Sequence, residues 1–317
     1  MKYQIGIDIG GTFIKIGLLD EELNIAFRDK IPFPHTTPED MAQKLSAAIE
    51  NLLNANGISH RDVESLGIVV PGSIDPAGEV VLDAFNLNFH NVPLKSLMQS
   101  HFPDIPVLVA NDANGAALAE LYKGAFVGCK TAVLFTLGTG LGGGIILGGH
   151  MFNGGRGSGV EIGHAILVDG GDACNCGNLG CYEVYCSATG LAIEGRKAMR
   201  KYPDSRLHAL SGGDEARVDP LLVTNCAKEG DIAAKEAFDI YVGHLSSACA
   251  SLYNMLDPEV FAIGGGLSGA GDFLFRPLRE QIQKKCFFKT LGALVPAVMG
   301  NDAGMVGAAL LHRDAAL

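Results

Sequence analysis

Hydrophobic residues fall into two kinds of run along this chain. Short, β-rich apolar runs predict buried strands, and runs with a period near 3.6 residues predict helices. The predicted strands are residues 3–9, 13–20, 66–70, 107–110, 132–137, 145–147 and 260–263. The predicted helices are residues 38–56, 113–122, 232–256 and 304–312. Such a succession of strands and helices is typical of an α/β protein.

A strand, a glycine-rich turn and a second strand occur twice, at residues 3–20 and 132–147. α/β material follows each copy, which is a weak internal duplication. It predicts two related α/β domains facing each other across a cleft. We expect a small domain over residues 1–115 and a large domain over residues 116–302, with the C-terminal helix at 303–317 packing back on the small domain.

Composition excludes several classes of function. The net charge is −11, and no run of lysine or arginine supplies the basic surface that nucleic acids require. The N-terminal residues do not resemble a signal peptide, and no run of 18 apolar residues predicts a membrane span. Eight cysteines without a secretory signal indicate a reducing cytoplasm. Glycine, at 42 residues, is unusually abundant and clustered, which predicts close approach of backbone to a ligand.

Three cysteines lie within eight residues, and a histidine lies ten positions before the first of them. The candidate metal ligands are His164, Cys174, Cys176 and Cys181. Three thiolates and one imidazole are a standard ligand set for structural zinc. Disulfides and independent buried thiols are the alternatives. Cys174 and Cys176 are too close to pair comfortably, and the intervening glycines favour a tight metal knuckle.

Two glycine-rich turns combine bare backbone N–H groups with a hydroxyl. They are Gly10-Gly11-Thr12 and Gly138-Thr139-Gly140. Phosphate oxygens can approach such N–H groups closely because no Cβ stands in the way. Neither turn matches the dinucleotide-binding or P-loop pattern. Either one alone is better explained as a plain turn, but two at equivalent places in a duplicated unit favour phosphate binding.

Six motifs occur in a characteristic order along the chain. They are Asp8-Ile9-Gly10-Gly11-Thr12 with Lys15, Asn111-Asp112-Ala113-Asn114, Gly138-Thr139-Gly140, Glu161-Ile162-Gly163-His164, the cysteine segment 174–181 with Glu183, and Gly264-Gly265-Gly266. In this order they resemble the ROK family of sugar kinases and repressors, over essentially the whole chain. The resemblance implies two actin/hexokinase-like, ribonuclease H-like domains around a cleft, a zinc knuckle and a homodimer. Because the first phosphate motif begins at residue 8, we expect no N-terminal DNA-binding segment, and the kinase branch is favoured.

The resemblance implies a role for each motif in phosphoryl transfer from ATP to a sugar. Asp112 is the candidate general base, although an aspartate there could instead cap a helix. Asp8 is the candidate partner of Mg²⁺. Lys15 either neutralises phosphate charge or is a solvated hairpin lysine. The predicted nucleotide-binding residues are Asp8, Gly10, Gly11, Thr12, Lys15, Gly138, Thr139, Gly140, Gly264, Gly265 and Gly266.

Sugar recognition needs several polar groups that both donate and accept hydrogen bonds. The predicted sugar-binding residues are Gly72, Asn86, Asn111, Asp112, Glu161, His164 and Glu183. Asn86 could equally be a loop asparagine that satisfies its own turn. One ring nitrogen of His164 is expected to bind structural Zn²⁺ while the other faces a sugar hydroxyl.

The implied reaction is ATP-dependent phosphorylation of the 6-hydroxyl of glucose, because the Asn86-Leu87-Asn88-Phe89 segment looks closest to the glucokinase pattern. The alternatives are a kinase for N-acetylmannosamine, N-acetylglucosamine, fructose or allose, and a sugar-sensing protein without catalysis.

Overall fold

The computed structural model describes residues 2–157 and 159–315, which contain thirteen strands and ten α-helices. The strands are β1 (Tyr3–Ile9), β2 (Phe13–Leu19), β3 (Ile25–Pro32), β4 (Val63–Val70), β5 (Ser73–Ile74), β6 (Val81–Ala84), β7 (Phe89–Val92), β8 (Val107–Asn111), β9 (Thr131–Leu137), β10 (Leu141–Leu147), β11 (His150–Met151), β12 (Val260–Gly264) and β13 (Ala293–Pro296). The helices are α1 (Pro38–Ala55), α2 (Leu94–His101), α3 (Asp112–Lys123), α4 (Tyr182–Cys186), α5 (Ala188–Lys201), α6 (Arg206–Ser211), α7 (Pro220–Lys228), α8 (Ile232–Leu256), α9 (Asp272–Lys285) and α10 (Ala303–Ala315).

The predicted strands and helices are all present, with small shifts at their ends. One predicted strand boundary was clearly wrong. The strand predicted at 145–147 begins at Leu141, so Gly142, Gly143 and Gly144 belong to β10 and not to the preceding loop. Backbone pairing with β9 outweighs the low strand preference of glycine here.

The chain divides into two compact units. Unit 1 comprises Met1–Lys130, Gly144–Val160 and Val298–Leu317, and unit 2 comprises Thr131–Gly143 and Glu161–Ala297. One boundary between the units therefore falls inside β10. The domain limits expected from the sequence, at residues 115 and 302, remain a prediction.

Unit 1 contains a five-stranded mixed sheet in the order β3-β2-β1-β4-β8. β1 pairs antiparallel with β2 and parallel with β4, and β4 pairs parallel with β8. Alternate residues of β1 and β4 face opposite sides of the sheet. Ile5, Ile7 and Ile68 belong to the apolar cluster that also contains Met41 and Leu45 of α1, so one side of the sheet packs on that helix.

The other side of this sheet packs directly on α10. Gly6 of β1 and Gly67 of β4 lie on this side, where α10 approaches so closely that a Cβ on Gly67 would collide with the carbonyl oxygen of Ala308. Val69, Leu118 of α3 and Leu310 of α10 complete this second apolar cluster. Because Gly6 and Gly67 have no side chains, α10 can pack directly against the backbone of the sheet.

A second five-stranded sheet has the order β11-β10-β9-β12-β13. Taken in order, these strands correspond to β3, β2, β1, β4 and β8 of the first sheet. This correspondence agrees with the predicted duplication. β12 pairs parallel with both β9 and β13. In unit 2 the long helix α8 packs on α4, α5, α7 and α9, and Phe135, Tyr253 and Phe261 are buried together in the core.

None of the described helices has the length and apolar content that crossing a membrane requires.

Candidate active site

The carboxyl ends of β1, β4 and β8 meet at one edge of the first sheet because these strands are parallel. Asp8 pairs with Val69, and Val70 pairs with Asn111, so the register brings the ends of the three strands level. With two strand spacings between them, Asp8 and Asn111 are about 10 Å apart across the edge. The first glycine turn and the Asn111-Asp112 motif therefore lie at the same edge of unit 1.

Asp8 is held by a cation and by a helix start. Lys15 lies opposite it in the β1–β2 register, and Nζ of Lys15 is 2.9 Å from Oδ2 of Asp8. Nζ also donates to the carbonyl oxygen of Asn301 at 2.9 Å. In the first turn of α10, a Cβ on Gly304 would lie 2.8 Å from the carboxyl carbon of Asp8. The positive end of the helix dipole thus stabilises the Asp8 carboxylate, and Lys15 has two partners that a solvated hairpin lysine would lack.

Asn111, and not Asp112, is the N-cap of α3. Its Oδ1 accepts hydrogen bonds from the backbone N–H groups of Ala113 at 2.9 Å and Asn114 at 3.2 Å. Its Nδ2 donates to the carbonyl oxygen of Gly72 at 3.0 Å. Asp112 is the first residue of the helix, and its Oδ1 accepts from the N–H of Ala113 at 2.8 Å. Asn111 therefore occupies the N-cap position, and Asp112 shares only the N–H of Ala113 with it.

The segment around Asn86 lies against the first glycine turn. Phe85–Leu87 forms a single turn of 3₁₀ helix, and Asn86 is exposed on it. A Cβ on Gly11 would lie 3.3 Å from the carbonyl oxygen of Asn86. Within unit 1 the structure thus brings together the predicted sugar residue Asn86 and the predicted phosphate turn.

The second glycine turn and the third glycine cluster are neighbours in unit 2. Residues 138–140 connect β9 to β10, and the N–H of Gly138 donates to the carbonyl oxygen of Gly140 at 3.0 Å. Gly265 follows the adjacent strand β12 with a φ of +84°. A Cβ there would collide with the carbonyl oxygen of Leu137, so only glycine allows the two segments to approach this closely.

The four predicted metal ligands form one cluster in unit 2. Their ligand atoms all lie within 4.8 Å of one another. Sγ of Cys174 is 3.7 Å from Nδ1 of His164, and Sγ of Cys176 is 3.6 Å from Sγ of Cys181. Ligand atoms around tetrahedral zinc are separated by about 3.8 Å when zinc–sulfur bonds are about 2.3 Å long. The cluster therefore has the ligand types of a zinc site, and two of its ligand pairs have the matching separation.

Burial and hydrogen bonding change the acidity of the cluster thiols. Burial raises the pKa of the Cys174 thiol and raises that of Cys181 to about 12. A hydrogen bond from the backbone of Asn178 lowers the pKa of Cys176. Buried thiolates need a compensating positive charge, which a bound metal ion provides. The knuckle itself is a tight turn, in which the N–H of Cys174 donates to the carbonyl oxygen of Asn178 at 2.9 Å.

Two predicted sugar-binding carboxylates flank the cluster. Partial desolvation raises the pKa of the Glu161 carboxyl group, the electrostatic interaction with His164 lowers it, and the interaction with Glu183 raises it. Oε1 of Glu183 is 3.8 Å from Sγ of Cys174. The structure thus brings Glu161, His164 and Glu183 together beside the cluster.

A family model described as the ROK family matches residues 4–315. This chain belongs to the ROK family. It is 35% identical to the glucokinase of Halalkalibacterium halodurans, in an alignment that covers 99% of this chain and 96% of that protein. The solved structure of a ROK family glucokinase from Streptomyces griseus, in complex with glucose and AMPPNP, superimposes with a TM-score of 0.81 at 34% identity, with 98% of each chain covered. The ROK hexokinase of Thermus thermophilus superimposes with a TM-score of 0.83 at 30% identity, with 97% of each chain covered.

Membership of the ROK family confirms the family predicted from the sequence motifs. The fold is the α/β, actin/hexokinase-like fold of ROK sugar kinases. The four predicted metal ligands form the His/Cys cluster described above, and zinc binding there remains a prediction.

Sequence reasoning missed the residues that hold the second glycine turn. Thr189, in the first turn of α5, donates its hydroxyl hydrogen to the carbonyl oxygen of Thr139 at 2.7 Å. The signal available in the sequence was the N-cap of that helix, Ser187, whose hydroxyl accepts from the N–H of Gly190 at 3.1 Å. An N-cap locates a helix start, but it does not reveal what the helix start contacts.

Proposed function

We propose that this protein is an ATP-dependent glucokinase that converts glucose and ATP into glucose 6-phosphate and ADP. The observation that carries the proposal is the whole-length similarity to glucokinases, including one solved with glucose and an ATP analogue. The chemical groups present support it, since Asp112 and Asp8 lie at one end of the first sheet and each unit contains a glycine turn.

Asp112 acts as the general base in this proposal. A sugar hydroxyl is a weak nucleophile, so a carboxylate accepts its proton as the oxygen attacks phosphorus. The 6-oxygen forms its bond to the γ-phosphorus, the bond from that phosphorus to the β–γ bridging oxygen breaks, and ADP leaves. Because Asn111 caps the helix, the carboxylate of Asp112 does not have to serve as the N-cap.

The nucleotide is bound by glycine turns and by the groups around Asp8. The hydroxyls of Thr12 and Thr139 and the adjacent N–H groups bind phosphate oxygens. Asp8 would hold Mg²⁺ when that ion is bound, and Lys15 neutralises phosphate charge. Mg²⁺, when bound with ATP, neutralises part of the charge on the phosphates. Gly264, Gly265 and Gly266 leave room for the adenosine against the backbone.

The residues proposed to bind the sugar lie in each unit. In unit 1 these are Gly72, Asn86, Asn111 and Asp112, and in unit 2 they are Glu161, His164 and Glu183. Since Nδ1 of His164 faces Cys174, its Nε2 is the nitrogen available to a sugar hydroxyl. Zn²⁺, when bound, supplies a closed four-ligand cross-link and no activated water.

A coupled assay of ADP release with a panel of hexoses tests the proposal. We expect glucose to give the highest kcat/KM among glucose, fructose, allose, N-acetylglucosamine and N-acetylmannosamine. A higher kcat/KM for another hexose would reassign the substrate. Sugar binding without sugar-stimulated ADP release would instead indicate a sensing protein. The homodimer expected from the family resemblance remains a prediction.

A further inference from the structure

A single segment of unit 2 makes hydrogen bonds to Gly138 and Thr139 of the second glycine turn and to Leu141 just after it. Oε2 of Glu183 accepts a hydrogen bond from the N–H of Leu141 at 3.0 Å. The N–H of Ala188 donates to the carbonyl oxygen of Gly138 at 2.9 Å. The hydroxyl of Thr189 donates to the carbonyl oxygen of Thr139 at 2.7 Å. We call residues 181–189 the brace segment.

The brace segment is short and internally fixed. It begins at Cys181, which is a member of the metal cluster and the N-cap of α4. Ser187 ends α4 and caps α5, because its N–H donates to the carbonyl oxygen of Glu183 and its hydroxyl accepts from Gly190. α4 and α5 therefore join at one residue, with no flexible loop between the metal cluster and the contacts to the glycine turn.

The contact made by Thr189 is unusual for its position. Threonine hydroxyls near helix starts generally bond to backbone of the same helix. Thr189 is exposed, yet its hydroxyl bonds to a carbonyl fifty residues earlier in the chain. The side chain of Thr189 thus contributes to the placement of the turn and not to the stability of its own helix.

These contacts fix the direction of two N–H groups in the turn. In a planar trans peptide the C=O and the N–H point in opposite directions. The carbonyls of Gly138 and Thr139 both point toward the brace segment, so the N–H groups of Thr139 and Gly140 point away from it. Gly140 has no side chain to disturb this arrangement, since a Cβ there would collide with the Glu183 carboxylate. Two adjacent N–H groups on one side of a turn form a cradle for an anion.

We propose that Thr189 is a positioning residue for nucleotide binding: it orients the 139–140 peptide so that the turn presents its N–H groups to a phosphate of ATP. The inference rests on the proposed kinase function. It adds that the phosphate turn is preorganised by the helix start beside the metal cluster. Thr189 does not touch the nucleotide, and it acts through the backbone of Thr139.

Calorimetry with MgADP, in the absence of sugar, tests the role of Thr189. Thr189→Val keeps the shape of the side chain and removes the donor, and Thr189→Ser restores the donor. We expect Thr189→Val to bind MgADP roughly three- to tenfold more weakly, the scale of one net hydrogen bond, and Thr189→Ser to bind within about twofold of wild type. The KM for ATP should rise in parallel while the KM for glucose stays within about twofold.

Thr224→Val is a matched control, because the Thr224 hydroxyl also donates to a backbone carbonyl at 2.7 Å, that of Pro220 in its own helix. It should leave MgADP affinity unchanged even if thermal stability falls. Wild-type MgADP affinity in Thr189→Val, failure of Thr189→Ser to restore affinity, or an equal loss in Thr224→Val would overturn the proposal. If wild type phosphorylates glucose while Thr189→Val binds MgADP normally, only this inference fails. If wild type binds MgADP in a Thr189-dependent way without phosphorylating glucose, only the proposed function fails.

Discussion

Nζ of Lys15 lies 2.9 Å from Oδ2 of Asp8, and the two residues face each other across the β1–β2 pair. The antiparallel register fixes this ion pair, because the two side chains leave the sheet on the same side at directly opposed positions. Their side chains are only partly exposed, at 35% for Lys15 and 18% for Asp8. A phosphate or a hydrated cation that reaches Asp8 therefore meets Lys15 as well.

Replacing Lys15 by methionine should weaken the use of ATP. The substitution keeps the length of the side chain and removes its charge, so kcat/KM for MgATP should fall about tenfold or more, the scale of a lost charged hydrogen bond. Steady-state kinetics at saturating glucose provide the measurement. Lys30→Met is the matched control, since Lys30 pairs with Lys15 in the β2–β3 register and is exposed. Equal losses in the two variants would contradict a specific role for Lys15.

Replacing Asp112 by asparagine should remove the proton acceptor and leave the helix start intact. We expect kcat to fall by roughly 10²-fold or more, while glucose binding measured by calorimetry changes little. Asn111 keeps its two cap hydrogen bonds in this variant, so the helix should still form. Asp40→Asn makes the same change in the first turn of α1 and controls for the lost dipole interaction. A kcat near that of wild type would refute the assignment of the base.

Replacing Cys176 by alanine should remove one of four zinc ligands. Wild type should carry about one zinc per chain by elemental analysis, and the variant much less, with a lower melting temperature because metal binding is coupled to folding. Glucose affinity should fall because His164 and Glu183 lose their anchor, and MgADP affinity should fall less. Cys286→Ala, outside the cluster, should change neither zinc content nor glucose affinity. Metal-free wild type with full glucose affinity would contradict this account of the cluster.

Replacing Gly67 by alanine should destabilise unit 1. The added methyl group would collide with the backbone of α10 at Ala308, so the helix must move away from the sheet. Overpacking of this kind costs about 1–3 kcal/mol of unfolding free energy, and more where backbone must shift. Urea unfolding provides the measurement. Gly269→Ala, where no atom lies within 4 Å of the added Cβ, should be nearly neutral. A neutral Gly67→Ala would show that the close packing of α10 is not required.

Long periodic segments were the easiest to predict from sequence, and α8, over Ile232–Leu256, was predicted to the residue. Its apolar positions repeat over seven turns, and Asp231 caps its start. The glycine-rich start of β10 was missed because Gly142, Gly143 and Gly144 carry no side chains that could show a two-residue period. That segment is a strand because it pairs with β9. Such pairing cannot be read from the local sequence.

The candidate site was accessible to sequence analysis where chemistry is concentrated in short motifs. The metal cluster is an example, because its spacing alone nominates all four ligands. The distinction between Asn111 and Asp112 was not accessible, since both residues are good N-caps and differ by a single position. The role of Thr189 could not be predicted from the sequence for another reason. That role depends on a hydrogen bond to Thr139. No sequence pattern around an exposed threonine predicts such a hydrogen bond.

The most direct test of the central claim is phosphorus NMR of the products formed from glucose, ATP and Mg²⁺ by the purified wild-type protein. We expect one new sugar phosphate, glucose 6-phosphate, to appear at the rate at which ADP appears. The reaction with 6-deoxyglucose, which lacks the acceptor hydroxyl, should give no sugar phosphate. ADP formation that does not depend on glucose, or a phosphate on any other hydroxyl of glucose, would contradict the account.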